Sequence, residues 1–270
     1  MARRFGVRFQ RRLGQHFLAD RGQLERIVED LELEADDRMI EVGAGLGVLT
    51  AEMAASVDHV TAVEIDPACI SALRFTLRRH ANVRIVEGDI LAQDVSALEA
   101  GRYRVVGNIP YYLTGALAVH LLDQPRPPAR IDLLVQREVA ERLSAPPGGW
   151  SLATLGVRVY GRPELRLFVP AQAFLPPPRV GSALLRIVPD PEPALPRSQL
   201  RAFFAFARPF FQARRKQLVQ VASQTMGADK ATARKRLQSL GIDPSRRPET
   251  LDLEEWKRLF VALADAGLRQ

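Results

Sequence analysis

The stretch that most constrains this 270-residue chain is Glu41-Val42-Gly43-Ala44-Gly45-Leu46-Gly47. Arg38 to Val42 reads as a short buried strand, the glycines that follow demand a tight turn, and Val48 to about Ala55 has helical spacing. Strand, glycine turn and helix in that order belong to an α/β sheet whose ligands gather beyond the carboxyl ends of its strands. A dinucleotide fingerprint would set its third glycine one residue later, so the register departs from that of a pyrophosphate cradle. Glycines here let a ligand approach the backbone where a Cβ would exclude it, and the helix amides beyond are placed to receive a carboxylate.

The pattern continues along the chain. Val60–Ile65, Val83–Val86, Arg104–Val106 and Ile131–Val135 are β-type runs, and between the first two Pro67–Arg79 carries Ile70, Leu73 and Leu77 on one helical side. Alternation of this kind predicts a parallel, doubly wound sheet with its chemistry in the turns that follow the strands. Glu64 ends the second strand about twenty residues after the glycine turn, where a carboxylate accepts from both hydroxyls of a ribose, while Asp66 reads as the N-cap of the next helix. Asp89 follows the third strand and is placed to accept from an adenine amino group. Acids at successive strand ends suit a ligand made of adenine, ribose and a sulfonium cation, and suit a pyrophosphate poorly.

Asn108-Ile109-Pro110-Tyr111 follows the fourth strand into the same crevice. Pro110 fixes its own φ and holds Ile109 extended, which turns the Ile109 carbonyl toward the site. That carbonyl and the Asn108 side-chain oxygen make two acceptors for one primary amine, the requirement of adenine N6. Accepting both N–H bonds shifts the nitrogen toward tetrahedral geometry and makes it a better nucleophile for an in-line methyl transfer. Tyr111 is expected to stack on the base and Phe174 to cover its opposite face.

Glu164–Phe168 and Ser182–Val188 read as an antiparallel edge with Ala173 to Pro178 between them, and the prolines at 189, 191, 193 and 196 as a stiff linker. The expected organisation is therefore a domain over residues 1–188, a linker over 189–196 and a small all-helical domain over 197–270. In the last, Leu200, Phe203, Phe204, Ala207, Phe210 and Phe211 recur at helical spacing as its core, with further helices at Ala231–Leu240 and Leu253–Leu263.

Charge bears on the partner. Ten basic residues from Arg208 to Arg247 face only Asp229 and Asp243, and Arg3, Arg4, Arg8, Arg11 and Arg12 precede the first acid at Asp20, so a chain of net +7 concentrates its cations at its two ends. Such segregation suits a polyanion, because each phosphate contacted releases counterions. The leading arginines are read as an RNA-facing arm rather than a transit peptide. Arg214, Arg215 and Lys216 are the corresponding candidates in the helical part. One cysteine, Cys69, excludes an internal disulfide and cysteine-based zinc, and His16, His59, His80 and His120 show no ligand spacing, so no metal is expected. No run is apolar enough for a membrane span, and a cytoplasmic protein is expected.

With these motifs in hand, the chain resembles the ribosomal RNA adenine dimethyltransferase family over nearly its whole length. The resemblance rests on Gly14-Gln15-His16-Phe17-Leu18, Glu41 to Gly47, Val63-Glu64-Ile65-Asp66, Gly88-Asp89-Ile90, Asn108 to Tyr111, Val135 to Ala140 and Phe174 to Val180, together with Gln212 to Leu218 and Pro248 to Leu251. It implies a Rossmann-like fold that uses S-adenosylmethionine. It also implies a cofactor pocket completed by His16 and Leu18 with Gly43, Glu64, Asp89 and Asn108, beside which the matched motifs set Gln15, Gly45, Ile65 and Ile90. The implied partner is 16S rRNA in the small ribosomal subunit or its precursor, with two adjacent adenines near the 3′ end dimethylated by a monomer active in late assembly. A branch acting on 23S rRNA shares the core motifs, and a non-catalytic assembly or transcription factor on the same fold is the reading from another class. His16 stands where many members carry asparagine, Ala44 where proline is common, and Gly181 where aspartate usually follows the valine.

Overall fold

The computed structural model describes residues 15–110, 113–213 and 215–267. The expected sites at Arg3, Arg4, Arg8, Arg11, Arg12, Tyr111 and Arg214 lie outside those residues. The chain divides into two compact units, residues 1–144 with 161–189, and residues 145–160 with 190–270.

In the first unit, β1 (Phe17–Leu18) precedes α1 (Arg21–Asp30), β2 (Arg38–Val42), α2 (Val48–Ala54), β3 (His59–Glu64), α3 (Pro67–Leu77) and β4 (Val83–Glu87). After these come β5 (Arg104–Asn108), α4 (Thr114–Leu122), β6 (Arg130–Gln136) and α5 (Arg137–Ser144). Asp20 caps α1 by accepting from the Gln23 amide, and Asp66 caps α3 by accepting from the Ala68 amide with Pro67 in the first turn. The long sheet has seven strands, which include β7 (Gly161–Val169) and β9 (Ser182–Pro189), in the order β4-β3-β2-β5-β6-β9-β7. Strands β4 through β6 run parallel, and β9 pairs antiparallel with both β6 and β7. The antiparallel edge is thus present, with β9 inserted between β6 and the terminal β7.

Successive strand residues point to opposite faces, and both sets are buried here. Met39, Val60 and Val106 pack with Leu31 and with Met53 of α2, while Ala62 packs with Ile70, Leu73 and Leu77 of α3. On the other face Ile40, Val63 and Val105 are sealed as well. Strand order reverses around β2, whose neighbours β3 and β5 are reached by connections in opposite directions, and this opens a crevice beyond the ends of β2 and β5. Gly107 in β5 permits the close pairing: a Cβ there would sit 2.6 Å from the Val42 carbonyl oxygen.

At the opposite ends of the strands, charges fasten α1 to the sheet. Asp132, fully buried, accepts from Arg130 Nε at 2.8 Å and Arg186 Nε at 2.7 Å, and both guanidinium groups also reach Glu32.

The second unit holds α6 (Leu152–Tyr160), α7 (Arg197–Gln212), α8 (Leu218–Met226), α9 (Lys230–Ser239) and α10 (Leu253–Gly267). Its centre is aromatic: Phe210 and Trp256 meet edge to face at 5.5 Å and Phe203 meets Phe260 at 5.4 Å, so the phenylalanine stripe is core. Two expectations need correction. Residues 145–160 fold with the helices rather than with the sheet, because the apolar side of α6, including Leu155 and Val159, is buried within that unit. The proline-rich stretch, expected as a stiff linker between domains, folds with the helices from Asp190 onward, where the Asp190 amide donates to the Tyr160 carbonyl and the Ala194 amide to that of Val159. No helix among the described residues is long and apolar enough to cross a membrane.

Removing Arg186 with Arg186→Ala strips buried Asp132 of one of its two guanidinium partners. Loss of a partner from a buried pair costs about 3–5 kcal/mol, so denaturant titration is expected to show a destabilisation of that order with the fold retained.

Candidate active site

The crevice is a cavity of about 250 Å³ walled by the strand-end turns. Gly43, Gly45 and Gly47 all adopt positive φ, the left-handed region open to glycine. The turn's amides do not form a free row of donors. Those of Gly43 and Ala44 donate to the Val63 carbonyl, that of Gly47 to the Ala44 carbonyl and that of Gly45 to Glu64 Oε2 at 2.7 Å. The turn therefore offers bare Cα surface, and its polarity is spent on bracing β2 against β3.

Glu64 is the hub of that brace. Its second oxygen, Oε1, accepts from the Asp66 amide at 2.7 Å, so both carboxylate oxygens are held from below while the side chain still lines the cavity. Burial pushes its pKa up from the ordinary carboxylate range, and donation by the Asp66, Gly45 and Ile65 amides opposes that rise. Asp89 is exposed on the far wall and accepts from the Leu91 amide with one oxygen at 2.9 Å. Ile65 and Ile90 supply apolar wall beside the two acids. No lysine or arginine lines the cavity among the described residues.

Asn108 closes β5 at the cavity edge. Its Nδ2 donates to the His16 carbonyl at 2.7 Å, and the next amide, that of Ile109, donates to the Leu134 carbonyl at 3.0 Å. The Pro110 carbonyl accepts from the Leu113 amide, which starts α4 directly after the turn. Asn108, Ile109 and Pro110 all line the cavity. Across it runs the segment Gln15 to Asp20. Gln15 Nε2 donates to Asp66 Oδ2 at 2.6 Å, and Phe17 and Leu18 of β1 pair with Leu175 and Phe174 of the short β8 (Phe174–Leu175). The Ala19 and Asp20 amides both donate to the Ala173 carbonyl.

Of the expected cofactor residues, Gln15, His16, Gly43, Gly45, Glu64, Ile65, Asp89, Ile90 and Asn108 come together on this one cavity. Leu18 does not. Side chains alternate along β1, so Phe17 faces the cavity while Leu18 turns to the cluster of Ile27, Leu134 and Leu184 and lines a smaller adjoining hollow that shares Phe17, Gly43, Gly45 and Asn108 with the cavity. Phe174 is likewise no part of the wall: it is 3% exposed in that cluster, and the pairing that buries it holds β1 in place. The expected stacking by Phe174 is corrected accordingly. Phe17 escaped the sequence reading, although Gly45 signals it, because a Cβ at Gly45 would lie 2.9 Å from the Phe17 ring. In the other unit, Arg215 and Lys216 are exposed after α7.

Glu41, the first residue of the glycine motif, lies beneath the turn at 3% exposure and is bonded to the Thr50 hydroxyl of α2. Burial pushes its carboxyl up to about 8, with the Thr50 bond opposing and the nearby Glu64 adding to the rise. A carboxyl raised in the folded state contributes stability below its unfolded pKa and loses it as pH climbs through the folded value. Glu41→Gln is therefore expected to gain thermal stability relative to the parent between about pH 5 and pH 8, and melting curves across that window check the trend.

Comparison with known proteins agrees with this geometry. The model of the ribosomal RNA adenine dimethylase family matches residues 6–265. A ribosomal RNA small subunit methyltransferase A from Dehalococcoides mccartyi is 39% identical over 264 residues, covering 97% of this chain and 90% of the relative. One of the same description from Leuconostoc mesenteroides is 35% identical, covering 98% and 94%. Among solved structures, the 23S rRNA methyltransferase ErmE is 29% identical with a TM-score of 0.72, over 92% of this chain and 99% of its own. A dimethyladenosine transferase from Plasmodium falciparum, at 22% identity, shares the fold with a TM-score of 0.77, over 93% and 98%. A match of this extent, on a sheet whose glycine turn, acids and asparagine converge on one cavity, places the chain in the ribosomal RNA adenine dimethylase family.

Proposed function

We propose that this chain dimethylates the exocyclic N6 of two adjacent adenines near the 3′ end of 16S rRNA, within the small ribosomal subunit or its precursor, in the cytoplasm during late assembly. Membership of the family makes it an rRNA adenine dimethyltransferase dependent on S-adenosylmethionine. The small-subunit assignment is supported by the relatives at 34–39% identity that carry that description.

The observation that carries the reading is Asn108-Ile109-Pro110 at the edge of a cavity walled by two carboxylates and no cationic lysine or arginine among the described residues. Such a wall fits a group bearing adenine, ribose and a positive sulfur. In this reading Glu64 binds the ribose hydroxyls, Asp89 accepts from the cofactor's adenine amine, and Ile65 and Ile90 pack on its rings, with Gly43 and Gly45 yielding space and Gln15 and His16 closing the near side. S-adenosylmethionine supplies an electrophilic methyl group on a sulfonium. Asn108 Oδ1 and the Ile109 carbonyl accept the two N–H bonds of the target amine and localise its lone pair. Pro110 stiffens the turn, and Tyr111 stacks on the base. Bound in the cavity, S-adenosylmethionine would supply the methyl group and keep the C–S bond pair as a neutral thioether, while Asn108 and Ile109 hold the nucleophilic nitrogen in line and the proton released on methylation would pass to water. Arg3, Arg4, Arg8, Arg11, Arg12, Arg214, Arg215 and Lys216 contact phosphates, and the chain acts as a monomer.

Transfer of labelled methyl groups to immature small subunits tests the function. The parent protein is expected to label small-subunit RNA, and Asn108→Ala to lose the activity at least a hundredfold, as for removal of a group that orients the reacting atoms, while binding subunits normally. Labelling of large-subunit RNA alone would move the substrate to 23S rRNA. An active Asn108→Ala would overturn the mechanism.

Replacing Arg214, Arg215 and Lys216 together with alanine is expected to weaken subunit binding and to flatten its dependence on salt, by about one unit of log–log slope for each phosphate left unneutralised. An unchanged slope in filter binding would remove these residues from the interface.

A further inference from the structure

We infer that His16 is a positioning residue for the transfer step: it fixes which end of the Asn108 amide faces the target amine. The inference rests on the methyl-transfer reading above and adds a role for His16 distinct from lining the cofactor's side of the cavity.

Two hydrogen bonds carry it, each with a backbone carbonyl as partner. A carbonyl can only accept, so the Asn108 atom 2.7 Å from the His16 carbonyl has to be Nδ2. The same logic applies one step further, where His16 Nδ1 lies 2.7 Å from the Pro176 carbonyl and must carry its hydrogen. The two bonds form a relay from the Pro176 carbonyl, through the His16 ring and backbone, to the amide of Asn108. With Nδ2 committed to the segment Gln15 to Asp20, which lies as a strap at the cavity edge, Oδ1 is the end left for substrate. An amide flipped the other way would present N–H to N–H.

The strap can hold its carbonyl at that point because it is anchored on both sides. Gln15 is tied to Asp66 at the start of α3, and Phe17 and Leu18 are paired with β8. His16 sits between these anchors, and its ring ties the strap to the carbonyl of Pro176. Loss of the Nδ1 donor lets the His16 carbonyl rotate away, and Asn108 then loses its orientation without any change to the groups that hold the cofactor from below, Glu64 and Asp89.

His16→Phe keeps an aromatic ring but has no donor, whereas His16→Asn restores an N–H able to reach a carbonyl. The expected result for His16→Phe is a kcat at least tenfold below the parent, a larger factor than any accompanying change in the Kd for S-adenosylhomocysteine measured by calorimetry. His16→Asn is expected to recover most of that kcat. Hydrogen–deuterium exchange on the same proteins gives a readout without activity: residues 15–20 and the segment ending β5 are expected to exchange faster together in His16→Phe and to return in His16→Asn. Parental kcat in His16→Phe, a loss that only mirrors weaker S-adenosylhomocysteine binding, or unchanged exchange at β5 would each overturn the proposal. A parent protein that labels no ribosomal RNA would instead sink the methyl-transfer reading, and the exchange data would still decide whether His16 holds Asn108.

Discussion

Val42 and Gly107 run side by side in β2 and β5, close enough that a single added carbon at Gly107 would strike the Val42 carbonyl. The site depends on that approach. The chain leaves β2 in one direction and arrives at β5 from the other, so the connections beyond their ends diverge and leave a crevice, while tight pairing sets the glycine turn beside Asn108. Loosening the pair would separate the glycine turn from Asn108 and, in the proposed mechanism, the cofactor from the target amine it must align with.

Around this junction the protein uses its polar groups inwardly. Glu64 accepts two backbone amides, and the turn's own amides are spent on β3 and on each other. These bonds leave few parts free to move when a ligand enters. Preorganisation of that sort lowers the cost of ordering at the moment of reaction. The same economy appears at the far end of the sheet, where Asp132 is tolerated in the interior because two guanidinium groups flank it.

Much of this was legible in the residues. The strand starting at Arg38, the cap at Asp66 and the convergence of Gly43, Glu64, Asp89 and Asn108 follow from periodicity and from the rule that strand ends meet at one edge. What periodicity could not show was partnership between distant segments. α6 has an ordinary apolar stripe, and nothing local tells that it joins the helices beyond Pro196 rather than the sheet. Phe174 was expected to cover the base from its proline-braced loop, and the family resemblance implied Leu18 in the pocket, yet the two pair in short strands whose alternate side chains face opposite ways, which buries Phe174 and turns Leu18 toward the adjoining cluster. The strap's bonds from His16 to Pro176 and from Asn108 to His16 span 160 and 92 residues, separations at which a sequence pattern carries no register.

In the proposed mechanism Asn108 accepts, rather than donates, at the target amine. A crystal structure of the protein with S-adenosylhomocysteine and adenosine tests it most directly. The account predicts adenine N6 within hydrogen-bond distance of Asn108 Oδ1 and the Ile109 carbonyl, with Nδ2 still on the His16 carbonyl. A base seated with N6 away from both acceptors, or an Asn108 side chain detached from His16 in the complex, would contradict it.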